Sequence, residues 1–259
     1  MTAHSLHIPV PAFTVPGEVY VAHVKKGYED RERHINEMMG RLAVSFTYML
    51  DGDIPDITPE RSATYFSPQA AFPMPARSCA LKHLLIYEEI VRRGLHGALI
   101  LEDDICLDRE FPEIFTRSIK ELPAYERPQG TEAPMLPVMI SYEDTRLRFV
   151  ERSRRQKGRV LYPGDRDRMT GCYYVNRAAA EAMLHQVKTG GGISMPIDLF
   201  HAWMLREGKL SYLWCQPTVA TQGSHNGLFR SGIYTAKTAW EERKWKFKLL
   251  YRKLLYLLR

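Results

Sequence analysis

The sequence predicts an α/β fold: a mixed, mainly parallel central sheet followed by a C-terminal amphipathic helix. Two observations carry this. Short apolar runs alternate with helix-period segments through the first hundred residues, the pattern of strands joined by crossover helices. The last twenty or so residues repeat large apolar side chains at helical spacing among lysines and arginines. A chain of 259 residues suits one large α/β domain or two small ones, with room for a sizeable core. At 45% hydrophobic and 25% charged residues, it is neither collagen-like nor largely disordered. No apolar run approaches the ~18 residues of a membrane span. Residues 1–17 carry three prolines and lack a basic n-region and an apolar h-region, so no signal peptide is expected there.

The elements follow in order. Residues 19–24 (VYVAHV) form a first strand, and 30–42 a helix with Ile35, Met38, Met39 and Leu42 at i, i+3, i+4 and i+7. Residues 45–50 form a second strand, stopped by Asp51-Gly52. Residues 54–75 hold five prolines and read as a loop excursion. Ser78 caps a helix running to Arg93, and 98–101 (ALIL) form a fully buried strand. A helix near 112–122, a proline-rich connector over 123–137 and strands at 138–141 and 172–176 come next. A helix over 178–187, the Gly190-Gly191-Gly192 break, a helix over 197–206 and a strand over 210–215 complete the body. Residues 146–168 hold nine Arg or Lys, a density that suits either a solvated loop or a mobile lid over a phosphate.

The formal charge is +6, and residues 237–259 alone carry that balance, with eight basic residues against Glu241 and Glu242. The body is therefore neutral, and no nucleic-acid partner is expected. Cys79, Cys106, Cys172 and Cys215 show no metal spacing and read as core thiols in a reducing compartment.

The sharpest feature is Leu99-Ile100-Leu101-Glu102-Asp103-Asp104, three carboxylates directly after a buried strand. Ligands of open α/β sheets bind outside the carboxyl ends of strands. Alternation along an extended segment turns Glu102 and Asp104 to one side and Asp103 to the other. Two hard oxygen donors on one side suit Mn²⁺ or Mg²⁺, which would neutralise a diphosphate. Read alone, three acids also make a solvated turn.

At these residues the sequence resembles glycosyltransferase family 25, the lipooligosaccharide-type sugar transferases. The matching segments are Val19-Tyr20-Val21, Asp30-Arg31, Ser78-Cys79-Ala80-Leu81-Lys82-His83, the strand with its Glu-Asp-Asp, and Thr170-Gly171-Cys172-Tyr173-Tyr174-Val175-Asn176-Arg177-Ala178-Ala179-Ala180. Pro196-Ile197-Asp198 and Pro217…Gln222-Gly223-Ser224 follow in the family's order, over about residues 18–230. Two positions depart: His23 stands where the family has Asn, and Lys82 where it has Ser. The resemblance implies a GT-A-type nucleotide-sugar-binding fold over 18–236, with 237–259 as a basic amphipathic helix. It implies inverting transfer of a hexose, commonly galactose, from a UDP-sugar to a lipopolysaccharide, lipooligosaccharide or capsular glycan. It implies donor contacts from Val21, His23, Arg31, His83, Asp103, Thr170 and Gly171. Metal ligation falls to Glu102, Asp104 and His225, the last a polar loop histidine on the bland reading. Asp198 is the general base, or else an ordinary helix N-terminal Asp. His201, one turn on, reads as a core histidine.

Two rivals come from other classes: a metal-dependent nucleotidyltransferase, and a non-catalytic membrane-associated glycan-binding module. In the tail, Trp240, Phe247, Tyr251, Leu254 and Leu258 form a stripe beside the basic residues, expected to lie on an anionic membrane surface. The expected location is cytoplasmic, peripheral on the inner face of the inner membrane.

Overall fold

The computed structural model describes residues 17–127, 133–230 and 239–258. The N-terminal segment read as lacking a signal peptide lies outside these residues up to position 16, as do 237, 238 and 259 of the tail.

In chain order the strands are β1 (Glu18–Ala22), β2 (Thr47–Met49), β3 (Gly97–Glu102), β4 (Ile105–Leu107), β5 (Val138–Ser141), β6 (Leu161–Pro163), β7 (Cys172–Asn176), β8 (Ser211–Cys215) and β9 (Ala220–Gln222). The helices are α1 (Glu29–Leu42), α2 (Pro59–Tyr65), α3 (Met74–Arg92), α4 (Phe111–Glu121), α5 (Pro123–Glu126), α6 (Arg177–Thr189), α7 (Ile197–Arg206), α8 (Gly223–Asn226) and α9 (Ala239–Leu258). Seven strands form one sheet in the order β2-β1-β3-β7-β5-β8-β6. From the pairings, β2, β1, β3, β5 and β8 point one way while β7 and β6 run against them. The sheet is thus mixed and mainly parallel, as expected.

Period-2 alternation sorts the side chains onto two faces. Tyr20, Ala98 and Ile100 join one apolar cluster with Leu81, Leu84 and Tyr87 of α3 and Met183 of α6. Val19, Val21, Leu99 and Leu101 join another with Ile35 and Met39 of α1 and Phe115 of α4. Helices therefore cover both faces, which is why the central strands are apolar throughout.

The structure revises four local expectations. The region 54–75 is not all loop, because Pro59 occupies the first turn of α2, where its missing N–H costs nothing. For the same reason α3 starts at Met74 with Pro75 in its first turn, and Ser78 is no cap. Its hydroxyl, buried inside the helix, donates to the Gly52 carbonyl at 2.8 Å. Proline-rich 123–137 contains the short helix α5. The basic 146–168 stretch is in part the solvated loop expected, with Arg152, Arg154, Lys157 and Arg166 exposed, and in part packed into the body. Phe149, Val150, Val160 and Leu161 are buried, and β6 pairs with β8. Arg168 is fully buried, donating to the Cys215 carbonyl at 2.8 Å with its guanidinium over Trp214.

A second sheet pairs β4 with β9. Its register sets Ile105 opposite Gln222 and so delivers α8 to the carboxyl end of β3.

Candidate active site

A cavity of about 760 Å³ opens at the carboxyl ends of β1 and β3. Strand β1 pairs with β2 on one side and β3 on the other, the strand-order switch where open α/β sheets bind ligands. Its walls include His23, Arg31, Lys82, Glu102, Asp103, Asp104, Thr170, Asp198, Gln222 and His225.

The alternation of β3 carries into the acidic triplet for two residues. Glu102 falls on the α3 side, where it accepts from the Thr170 hydroxyl at 2.7 Å. Asp103 falls on the α1 side, held by Arg31 at 2.7 Å and by His23 at 2.8 Å. The chain then turns rather than extends through 103–104. Asp104 therefore owes its place to the turn, not to the alternation expected of an extended segment. The turn aims Asp104 at α8, where its Oδ2 accepts from the Ser224 N–H at 3.1 Å. Its carbonyl accepts from the Gly223 N–H at 2.7 Å. A Cβ on Gly223 would lie 2.7 Å from that carbonyl oxygen, so this approach needs glycine.

The three acids differ in how they are compensated. Asp103 is bracketed by two donors. Asp104 Oδ1 is buried and has no hydrogen-bond partner among the described residues. Burial, with the field of Glu102 added, pushes the Asp104 carboxyl up to about 6. Behind them lies Glu143, fully buried at the end of β5, pushed well above the carboxylate range by burial.

Also in the lining, Lys82 of α3 is buried with its Nζ 2.8 Å from Asp53 Oδ1 and 3.0 Å from the Leu50 carbonyl. Asp198, in the first turn of α7, meets Arg146 at 2.8 Å through its Oδ2. Burial raises the Asp198 carboxyl and Arg146 opposes that shift.

Most of the expected site residues meet in this cavity, and three stand back from it. The Val21 side chain is fully buried in the core, because its position in β1 faces α1; its neighbours Ala22 and His23 reach the cavity instead. His83 is fully buried behind the wall, with Nδ1 2.7 Å from the Tyr173 hydroxyl. Gly171 acts through its backbone, its carbonyl accepting from the Glu102 N–H at 2.9 Å. His201 is a core histidine as expected, its Nε2 2.8 Å from the Tyr87 hydroxyl. All four cysteines are free thiols: Cys172 and Cys215 are buried as expected, Cys106 is half-buried, and half-buried Cys79 packs against the core while lining the cavity.

The family model for glycosyltransferase family 25 (LPS biosynthesis protein) matches residues 18–201, from β1 into α7. The chain belongs to glycosyltransferase family 25. No curated protein sequence matches it. It is accordingly a glycosyltransferase of a lipopolysaccharide-biosynthesis family, acting between a sugar donor and a glycan acceptor. Both departures from the family pattern, His23 and Lys82, line the cavity. The family-25 match stops before Gln222–His225, although Gln222 and Ser224 contact Glu102 and Asp104.

Sequence reasoning marked Lys82 only as a departure from the family pattern near the donor side, and missed Asp53, which lines the cavity, and Glu143, which is buried outside its lining. The signal for Lys82 was present: a charged residue on the apolar stripe of α3, between Leu81 and His83. Glu143 follows the apolar strand β5 as Glu102 ends β3. Asp53 gave no signal, since it lies in a loop among exposed acids.

Proposed function

We propose that this family-25 enzyme has a GT-A-type fold and transfers a hexose, galactose in the first instance, from a UDP-sugar. Transfer proceeds with inversion to a lipopolysaccharide-, lipooligosaccharide- or capsular-type glycan. The observation that carries this reading is the unpartnered Asp104 Oδ1 beside Glu102, on a cavity that Arg31 and Lys82 also line. A buried carboxylate oxygen without a partner is costly unless a cation or donor meets it, so the donor set fits a hard divalent ion. Glu102 and Asp104 would hold Mn²⁺ or Mg²⁺; His225 lines the same cavity, but among the described residues it does not group with these two carboxylates at metal-ligand spacing. When bound, the ion would supply positive charge to the departing diphosphate.

The chain's own residues supply the rest. Arg31, fixed by Asp103, and Lys82, fixed by Asp53, set positive charge on the donor side. His23 and Asp103 offer polar contacts to ribose or sugar. Asp198 accepts the proton of the attacking acceptor hydroxyl at its carboxylate. Burial supports that role by raising the basicity of Asp198, and Arg146 holds it in place.

The reading extends to an inner-membrane surface. One face of α9 meets the body: Tyr256 packs on Phe149, and Lys253 lies 3.0 Å from Asp144. Trp240, Phe247, Leu250, Tyr251, Leu254 and Leu258 are exposed, and so are Arg243, Lys244, Lys246, Lys248 and Arg252. An exposed apolar stripe flanked by cations complements anionic lipid. No helix among the described residues is long and apolar enough to cross a membrane.

The test is a panel of UDP-sugars with Mn²⁺, read by UDP release. Release from one of them, lost in EDTA, supports the reading. Nucleoside triphosphate turnover without UDP-sugar turnover would favour a nucleotidyltransferase. Vesicles containing anionic lipid should retain the protein, and charge-neutral vesicles should not.

A further inference from the structure

Behind the diphosphate side of the cavity stand two groups for which the transfer reaction has no use. Cys79 and His83 lie four residues apart on α3, hence on one helix face. Glu102, at the end of β3, faces them. One ligand atom from each of these three residues lies within 4.8 Å of the other two. His83 Nε2 is fully buried and has no hydrogen-bond partner among the described residues. It lies 3.6 Å from Glu102 Oε1, too far for a hydrogen bond.

The other ring nitrogen explains how that bare atom is held. His83 Nδ1 is 2.7 Å from the Tyr173 hydroxyl, which is 2.7 Å from that of Tyr87, which is 2.8 Å from His201 Nε2. With Nδ1–H donating to Tyr173, Nε2 keeps its lone pair free and directed at Glu102. A metal-ligating histidine is oriented in this way, by a hydrogen bond from its second nitrogen.

We propose that Cys79 Sγ, His83 Nε2 and the Glu102 carboxylate form a site for a thiophilic divalent cation of the zinc class. Thiolate and imidazole select such an ion over Mg²⁺ and Mn²⁺. Cys79 lines the cavity, which gives the ion a route from solvent, and three protein ligands leave a coordination position open. The Cys79 thiol, kept protonated by burial and by the carboxylates around it, releases its proton to solvent as the sulfur binds the ion. The site stands independently of the hard-ion reading of Glu102 and Asp104. One consequence does rest on that reading: Glu102 is shared, so zinc-class occupancy withdraws it from the hard-ion pair and inhibits transfer.

The test uses the full-length metal-free protein with Co²⁺ as the spectroscopic probe. A thiolate-to-cobalt charge-transfer band should saturate at one equivalent and disappear when Zn²⁺ is added. Cys79→Ser should abolish the band and Cys106→Ser should keep it. Tyr173→Phe, which removes the partner of Nδ1, should weaken Co²⁺ binding by about 10-fold or more without abolishing the band. Absence of the band in the unmodified protein, or its survival in Cys79→Ser, would overturn the site. In a separate arm, Mn²⁺ binding is followed by electron paramagnetic resonance. Zn²⁺ should expel Mn²⁺ from the unmodified protein at about one equivalent and need a larger excess in Cys79→Ser, where it competes only for the carboxylate pair. Failure of Mn²⁺ to bind would count against the hard-ion reading, while the cobalt band alone decides this site.

Discussion

Asp103 and Asp104 are chain neighbours, nearly equally buried, and they sit in opposite electrostatic surroundings. Asp103 belongs to the wall built from β1 and α1, where His23 and Arg31 meet both of its oxygens. Asp104 belongs to the wall built from β3, β9 and α8, where one oxygen has a backbone donor and the other has none. The first wall is balanced, so its carboxylate keeps an arginine in place. The second is left with excess negative charge at Asp104, reinforced by the field of Glu102. On the function proposed above, the difference separates groups that maintain the cavity from groups that would meet the ion.

The largest test of this contrast is on activity. Asp104→Ala should lower UDP-sugar turnover by at least about 100-fold, as loss of a group that organises charge at a reacting centre does. UDP-release assays would show it, and near-normal turnover would break the contrast. Asp198→Asn should keep donor binding and lose about 10²–10⁴-fold in turnover, because an amide cannot take the hydroxyl proton. Donor affinity by calorimetry together with single-turnover rates separates those two effects.

Stability should show the opposite order. Asp103→Asn leaves the Arg31 guanidinium buried without its counter-charge and should cost about 3–5 kcal/mol, read by urea denaturation. Asp104→Asn removes a poorly compensated buried charge and should leave metal-free stability equal or higher. Equal losses in the two variants would erase the distinction between the walls. Gly223→Ala should cost about 1–3 kcal/mol, because its Cβ meets the Asp104 carbonyl, and should lower activity with it.

The smallest effect concerns pH, behind the same walls. Burial, helped by His83, holds the His201 imidazole well below its ordinary 6.5. The unfolded chain then binds a proton that the folded chain refuses, so His201 should erode stability as pH falls below about 6.5 and have no effect above it. Thermal midpoints between neutral and mildly acidic pH should fall less steeply in His201→Gln than in the unmodified protein. Parallel slopes would remove His201 from the account.

The C-terminal helix sharpens the comparison from outside. Trp245 of α9 packs near His225 of α8, with ring centroids 6.3 Å apart, and α8 carries the donors to Asp104. Removing α9 is therefore expected to disturb the uncompensated wall as well as any lipid contact. Replacing outward Phe247 and Leu254 by Ser tests the lipid contact alone. It should reduce retention on anionic vesicles and leave transfer to a soluble acceptor unchanged.

Periodicity and order along the chain determined the strand–helix alternation, the buried strand β3 and the acidic triplet at its end. Those are local patterns, and a 2- or 3.6-residue period is visible without knowing what an element packs against. The same pattern marked the outward stripe of α9, because a helix presents its faces by sequence spacing alone. The family's motifs led to the same cavity. Tertiary structure alone decided which carboxylate is paired. That depends on Arg31 and His23 arriving from β1 and α1, about seventy to eighty residues away, and on the β4–β9 pairing that brings Ser224 to Asp104. It also withdrew Val21 and His83 from the cavity and put Lys82 and Cys79 into it. Neighbours on one helix can face core or cavity by a rotation of about 100° per residue, and packing against the sheet sets that rotation.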